Sequence, residues 1–370
     1  MKGILEIVCF YFIATNNVVF VQHCGCRDMN PCYKRMLETL LDDNEEPCVE
    51  NSEIGTISIT VFLKALEAFC GKIVTVYNQS LTYQKRNLYE VVLDRNDDKT
   101  TTRSNKPVIF LDAGQQGGVE PVNFALIIIE QLVGCKEHNV MSRNVRWVIL
   151  PNTNPDGREF TRFNIMPWRK NVRLSDDNKI NGVDITRNFD DSFHDCGLIT
   201  NGYSPEFQGN KPLSESESVF ITTALNKYKN KLRAYLSIRR DGHALLYPYA
   251  STNNTAPGIY KLQEKAAEIV SKVNHKSGFI EMLVTTSINE MNGRPQCGHS
   301  VDYVFNKFNQ PYAYEMRVYL ENDHRMMKKF QALPRGYDTT LKVGYLSVIK
   351  ELYNLVISEH RNRTFAKRVI

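Results

Sequence analysis

Four short segments carry side chains able to do chemistry. WRKN (168–171) sets Arg169 in a loop beside an aromatic, and GVDITRNFD (182–190) brings Asp184, Thr186 and Arg187. SIRRDGHALLYPY (237–249) carries Arg239, Arg240, Asp241 and His243, and YEMR (314–317) puts Glu315 on a strand. Arginine offers a planar fork of N–H donors that matches a carboxylate, and a carboxylate held among arginines is a candidate general base. The chemistry in view is therefore an anion site with a possible proton-transfer group. Taken singly, an arginine of this kind is more often half of a surface ion pair, so the elements that gather these residues decide the matter.

Those elements alternate. LYEVVL (88–93), PVIFLDAG (107–114), VRWVILP (145–151), LRAYLSI (232–238) and PYAYEMRV (311–318) read as strands, the second a continuous apolar run of the kind found in a buried central strand. NFALIIIEQLV (123–133), 214–230, 261–274 and 341–360 read as helices, and NPDG (154–157) as a turn. The alternation predicts one α/β domain over 56–360, a sheet flanked by helices on both faces. Ligands in such sheets bind where loops leave the carboxyl ends of strands, which is where the arginines fall.

Composition bounds the class. Of 370 residues, 42% are hydrophobic and 24% charged, which excludes a disordered chain and a polytopic membrane protein. A net charge of +5 over this length gives no ground for a nucleic-acid partner. Lys2 followed by the apolar run 3–22, interrupted by Glu6 and Asn16-Asn17, reads as a secretory signal cut between 22 and 27 rather than a stable membrane anchor; a buried N-terminal helix is the other reading. Residues 23–55 form an acidic segment bearing Cys24, Cys26, Cys32 and Cys48, and 361–370 a C-terminal tail. Without Cys9, eight cysteines remain, an even number that allows a disulfide framework in a secreted chain; a zinc knuckle is the rival, but two CxxC halves are lacking. Asn78, Asn253 and Asn362 head glycosylation tripeptides.

In order along the chain, PVIFLDAGQQGGVEP, VILPNTNPDGREFTR, WRKN, NGVDITRNFD, YSPEFQG, RAYLSI, LLYPY, SVDY and YAYEMR make the sequence resemble the zinc carboxypeptidases, in particular the digestive carboxypeptidase A/B branch. The resemblance covers about 56–360 and implies a mixed, largely eight-stranded sheet, without room for the family's long activation segment before it. It also implies a zinc ion on His, Glu and His with one position left for water. Glu315 then matches the general base, Arg169 the oxyanion arginine and Arg187 the clamp on the substrate's terminal carboxylate. Thr186 stands beside Arg187 where the family has Asn, and keeps one hydroxyl donor. Val301 falls at the base of the specificity pocket, which implies apolar or aromatic C-terminal residues. Asn289 is the nearest match to the family's mobile tyrosine.

The metal positions depart from the pattern. The three ligands become Gln116, Val119 and Arg239: a neutral amide, a side chain without a donor and a guanidinium. Glu120 lies one residue late, which on a helix is a rotation of about 100°. His243 lies four after Arg239, about 13 Å along a strand. The expected cofactor is none, with zinc only if these side chains rebuild a site. With no metal beside it, Glu315 needs another cation; either Arg239 supplies one or it points to solvent. The sequence thus predicts a secreted carboxypeptidase-like pseudoenzyme that binds peptide or protein C-termini. The alternatives are an active exopeptidase with altered metal coordination and a structural protein with a vestigial cleft.

Overall fold

The computed structural model describes residues 24–40, 49, 54–95, 106–164, 168–175, 178–254, 256, 258–277, 282–309, 311–319 and 337–369. The expected signal over residues 1–22 and the acidic run 42–46 lie outside the described residues. The elements in chain order are α1 (Pro31–Leu40), α2 (Thr56–Cys70), β1 (Val74–Leu81), β2 (Asn87–Leu93), β3 (Val108–Ala113), α3 (Val119–Gly134), α4 (Asn139–Asn144), β4 (Arg146–Leu150), α5 (Pro155–Asn164), α6 (Ser216–Lys227), β5 (Leu232–Arg239), β6 (Ala244–Leu246), α7 (Ile259–Ser277), α8 (Ile288–Asn292), α9 (Ser300–Lys307), β7 (Tyr312–Arg317) and α10 (Tyr337–Val369).

The strands form one mixed sheet in the order β1-β2-β4-β3-β5-β7-β6. Its middle is parallel, β4 with β3, β3 with β5 and β5 with β7. Parallel strands are buried on both faces, and all six residues of β3 are buried, as its unbroken apolar run requires. On one face, Arg239 at the end of β5 bonds Ser300 of α9; on the other, Tyr314 of β7 reaches the carbonyl of Leu262 in α7, 3.1 Å away. Phe124 of α3 meets Tyr345 of α10 edge to face.

Seven strands are present among the described residues, where eight are expected. The segment after α7 runs beside β6 but pairs only through isolated bridges, Ala244 with Val284 and Tyr247 with Ser287. The NPDG turn is also corrected. Asn154 accepts the N–H of Gly157 at 2.9 Å and Pro155 opens α5, so the motif is a capped helix start; proline at a first helical position loses no hydrogen bond. The last helix continues through Val369, past the 360 at which its apolar pattern ends, so residues 361–369 are helical rather than a separate tail.

Between described residues three disulfides form: Cys26–Cys135, Cys32–Cys70 and Cys196–Cys297. The first two tie the N-terminal segment to α3's end and to α2, which removes Cys26 and Cys32 from any zinc knuckle; Cys24 is disulfide-bonded as well. Asn78, Asn253 and Asn362 are exposed. Among the described residues no helix is long and apolar enough to cross a membrane.

Candidate functional site

Strand register builds the site. Residues level with each other on neighbouring parallel strands point to the same face. Asp112, Ser237 and Glu315 form one such row across β3, β5 and β7, and Arg239 is level with Arg317 two residues further on. Two cations therefore stand directly beyond Glu315 at the carboxyl end of the sheet. Arg239 and Glu315 are both almost fully buried, at 2% and 1% exposure, and lie 3.1 Å apart. Of the two arrangements open to Arg239, the structure has the inward one.

Each remaining donor of Arg239 has a partner. Its Nε donates to Ser237 Oγ at 3.2 Å, and its second terminal nitrogen donates to Gln115 Oε1 at 3.2 Å and Ser300 Oγ at 2.9 Å. Arg317 donates to the other oxygen of Glu315 at 2.7 Å, and His299 Nε2 lies 3.0 Å from the first. The Val301 N–H donates to His299 Nδ1, capping α9, so the ring proton sits on Nε2 and points at Glu315. Burial alone would push the Glu315 carboxyl up; Arg239, Arg317 and His299 together outweigh it and hold the group well below the usual carboxylate range.

His299 moves in the unusual direction for a histidine beside a carboxylate. Complete burial and the neighbouring Arg239 depress it to about 4, against the pull of Glu315. Between about 6.5 and 4 the unfolded chain therefore binds a proton that the folded chain does not. Stability is then lost on acidification through this window, with a slope approaching 1.4 kcal/mol per pH unit. In His299→Gln, which keeps an N–H donor toward Glu315, urea denaturation across pH 4–6.5 is expected to lose that part of the slope.

Beneath the pair, buried Gln115 donates to Asp112 at 2.8 Å, and Ser237 and Tyr235 donate to the same carboxylate. Burial raises Asp112 despite these bonds. Gly114, at φ +83°, makes the turn that aims Gln115 inward; a side chain there would also meet Val122 at 2.7 Å. Nothing in the sequence marks Gln115, yet its amide oxygen accepts from Arg239, where Gln116 is the expected neighbour. Gln116 lines the cleft above, and Val119, half-buried, is the first residue of α3.

Zinc takes thiolate, imidazole or carboxylate donors. At Gln116, Val119 and Arg239 the side chains offer an amide, no donor and a cation engaged with Glu315, and this set does not fit the ion. The two substitutes do not complete one. His243 stacks on Tyr345 and bonds its hydroxyl, and Glu120 sits in the first turn of α3, where the helix dipole favours a carboxylate. Among the described residues no group of three His, Cys, Asp or Glu side chains is placed to hold a metal.

Above the network opens a cleft of about 350 Å³. Its cations are Arg169, Arg187, Arg239, Arg240, Arg294 and Arg317, and its acids Glu206, Asp241 and Glu315. Each acid serves two arginines: Glu315 as above, Asp241 with Arg169 (3.0 Å) and Arg240 (3.4 Å), Glu206 with Arg187 (3.1 Å) and Arg294. Arg187 is also held from behind by buried Asp184 at 3.1 Å. The expected arginines thus do converge. Three other residues do not take their expected places. The Thr186 hydroxyl donates to Asp184 at 2.7 Å and accepts from Gln296 at 3.0 Å, so its one donor is used within the protein. Val301 is fully buried and absent from the lining, whose non-polar members are Pro205 and Met291. Asn289 is buried and donates to the Ala250 carbonyl at 3.1 Å, while Met291 and Asn292 of the same helix reach the cleft. Charge and loop position alone do not distinguish Glu206, Arg294 and His299 from surface residues, so the sequence does not mark them.

This geometry agrees with what the chain is similar to. Residues 59–342 match the family described as zinc carboxypeptidase, more than half of the sequence, and the chain belongs to that family. It is 27% identical to zinc carboxypeptidase A 1 of Drosophila melanogaster over 69% of this chain and 59% of that one, and 25% identical to carboxypeptidase B of Helicoverpa zea over 54% and 47%. The chain thus spans about half the length of these relatives. Bovine thrombin-activatable fibrinolysis inhibitor, solved in complex with tick carboxypeptidase inhibitor, superposes with a TM-score of 0.71 at 18% identity, covering 84% of this chain and 99% of that one. At that identity the likeness is one of fold.

Proposed function

We propose that this zinc carboxypeptidase family member is a secreted binder of peptide C-termini that does not hydrolyse them. The observation that carries the reading is the buried Arg239–Glu315 pair. Hydrolysis in this family's manner needs a metal-activated water and a carboxylate free to take its proton. Here a guanidinium bonds that carboxylate, which is held well below the usual range and is correspondingly a weak base. Binding needs less. Arg187, fixed by Asp184, and Arg169, 38% exposed at the rim, keep the positions that grip a terminal carboxylate and the carbonyl before it. The disulfides support an oxidising, extracellular setting.

Calorimetry with a short peptide as free acid and as C-terminal amide tests this, because amidation deletes the charge the arginines would hold. The amide is expected to bind at least about tenfold more weakly. Equal affinities would favour a vestigial cleft. One equivalent of zinc retained through dialysis, together with release of the C-terminal residue, would establish an exopeptidase instead.

A further inference from the structure

Glu206 stands where a ligand would. One of its oxygens, Oε1, takes both Arg187, at 3.1 Å, and Arg294. A carboxylate oxygen shared by two guanidiniums is the arrangement a peptide's terminal carboxylate would need. We propose that Arg187 and Arg294 form a two-arginine clamp for the ligand carboxylate, and that Glu206 is its resident occupant, which an incoming carboxylate must displace. The inference rests on the C-terminus-binding reading above and adds to it a residue, Arg294, and a competitor.

Placement supports the exchange. Glu206 is 23% exposed and sits on a surface loop, so its side chain has solvent to turn into, whereas Asp184, the other partner of Arg187, is 3% exposed and sealed beneath it. The loop itself is fixed. Lys170 donates to the carbonyls of Gly202 and Ser204 at 2.8 and 2.9 Å, and the Asp184 N–H bonds the Phe207 carbonyl at 2.7 Å, so displacement requires only a side-chain rotation. Arg294 is 62% exposed and, among the described residues, makes its ion pair with Glu206 alone, so it keeps both reach and freedom to close on a ligand. Its loop is anchored by the Cys196–Cys297 disulfide and by Gln296 on Thr186, which keeps the two arginines side by side.

Glu206→Gln keeps the size and removes the competing charge. Its affinity for the free-acid peptide is expected to rise about tenfold, with the amide unchanged, and Arg294→Gln in the otherwise native chain is expected to weaken free-acid binding by a similar factor. Both side chains are outside the core, and matched thermal midpoints would establish that the variants fold. If the native protein distinguishes acid from amide but Glu206→Gln binds the acid no tighter, Glu206 is a structural partner and the clamp assignment is wrong. If the native protein does not distinguish the two peptides, the binding reading fails before the clamp is reached.

Discussion

Arg239→Ala is expected to destabilise the folded protein by about 3–5 kcal/mol at neutral pH, the usual result of removing one member of a buried ion pair. The loss has two parts. Glu315, 1% exposed, keeps Arg317 and His299 but loses its closest buried cation, and an under-compensated carboxylate in the interior is costly. Ser237, Ser300 and the Gln115 amide oxygen also lose the donors that Arg239 gives them. Lysine does not repair this, since one ammonium cannot reach four acceptors set out for a planar fork. The pH dependence follows from the sign of the Glu315 shift. In the native protein Glu315 is depressed, so its contribution is present above the unfolded carboxylate value and is lost as pH falls through the folded one. Without Arg239, burial gains weight and the group moves upward, so protonation at low pH relieves the variant while it costs the native protein. The gap between the two should therefore narrow on acidification. Urea midpoints at pH 7 and pH 4 read both effects, and a loss under about 1 kcal/mol at pH 7 would remove Arg239 from the role of internal counterion. Arg239→Met with Glu315→Gln should cost less than the sum of the single changes, because the two buried charges leave together and Arg317, 18% exposed, keeps Asn292 and access to solvent.

The sequence carried the parts of this molecule that depend on pattern. β3 and β4 are legible because strands buried on both faces must be apolar throughout, and α3 because its apolar run exceeds a strand's length. β1, half-exposed at the sheet edge, has no such pattern. The site divides in the same way. Arg187, Arg169 and Glu315 are legible because the motifs around them keep their order, and the loss of the three metal positions is legible because a change of donor type is a chemical fact before any folding. The surroundings of Glu315 depend on contacts between residues far apart in the chain. His299 bonds Glu315 only through the way α9 starts, and Gln115 enters the network because Gly114 turns the chain. Val301 and Asn289 fail as cleft residues for a related reason. The backbone aims these two side chains into the core and at the Ala250 carbonyl.

If the arginine that pairs with Glu315 also keeps a metal out, as the proposed function requires, the strongest expected result follows from that double role. Gln116→His, Val119→Glu and Arg239→His together restore an imidazole, carboxylate and imidazole donor set, and this triple variant should bind one zinc ion where the native chain binds none. No single change suffices. Gln116→His leaves a guanidinium at position 239, in the same cleft lining, and Arg239→His alone adds one donor while stripping Glu315 of its buried cation. The metal-free triple variant should inherit much of the cost of Arg239→Ala, since neutral histidine does not balance Glu315. Zinc supplies the missing charge and binds only the folded state, so stability becomes zinc-dependent, by about 2.7 kcal/mol at a hundredfold excess over Kd. Proton competition for the two histidines should weaken the effect below about pH 6.5. The measurement is the thermal midpoint with and without zinc, for native and triple-variant protein, with zinc content read after dialysis. A midpoint that climbs only in the triple variant places Arg239 as the internal substitute for a metal. A native midpoint that climbs equally would mean that other side chains hold the ion and that Arg239 is not the block. A triple variant indifferent to zinc would mean that positions 116, 119 and 239 no longer face a common point.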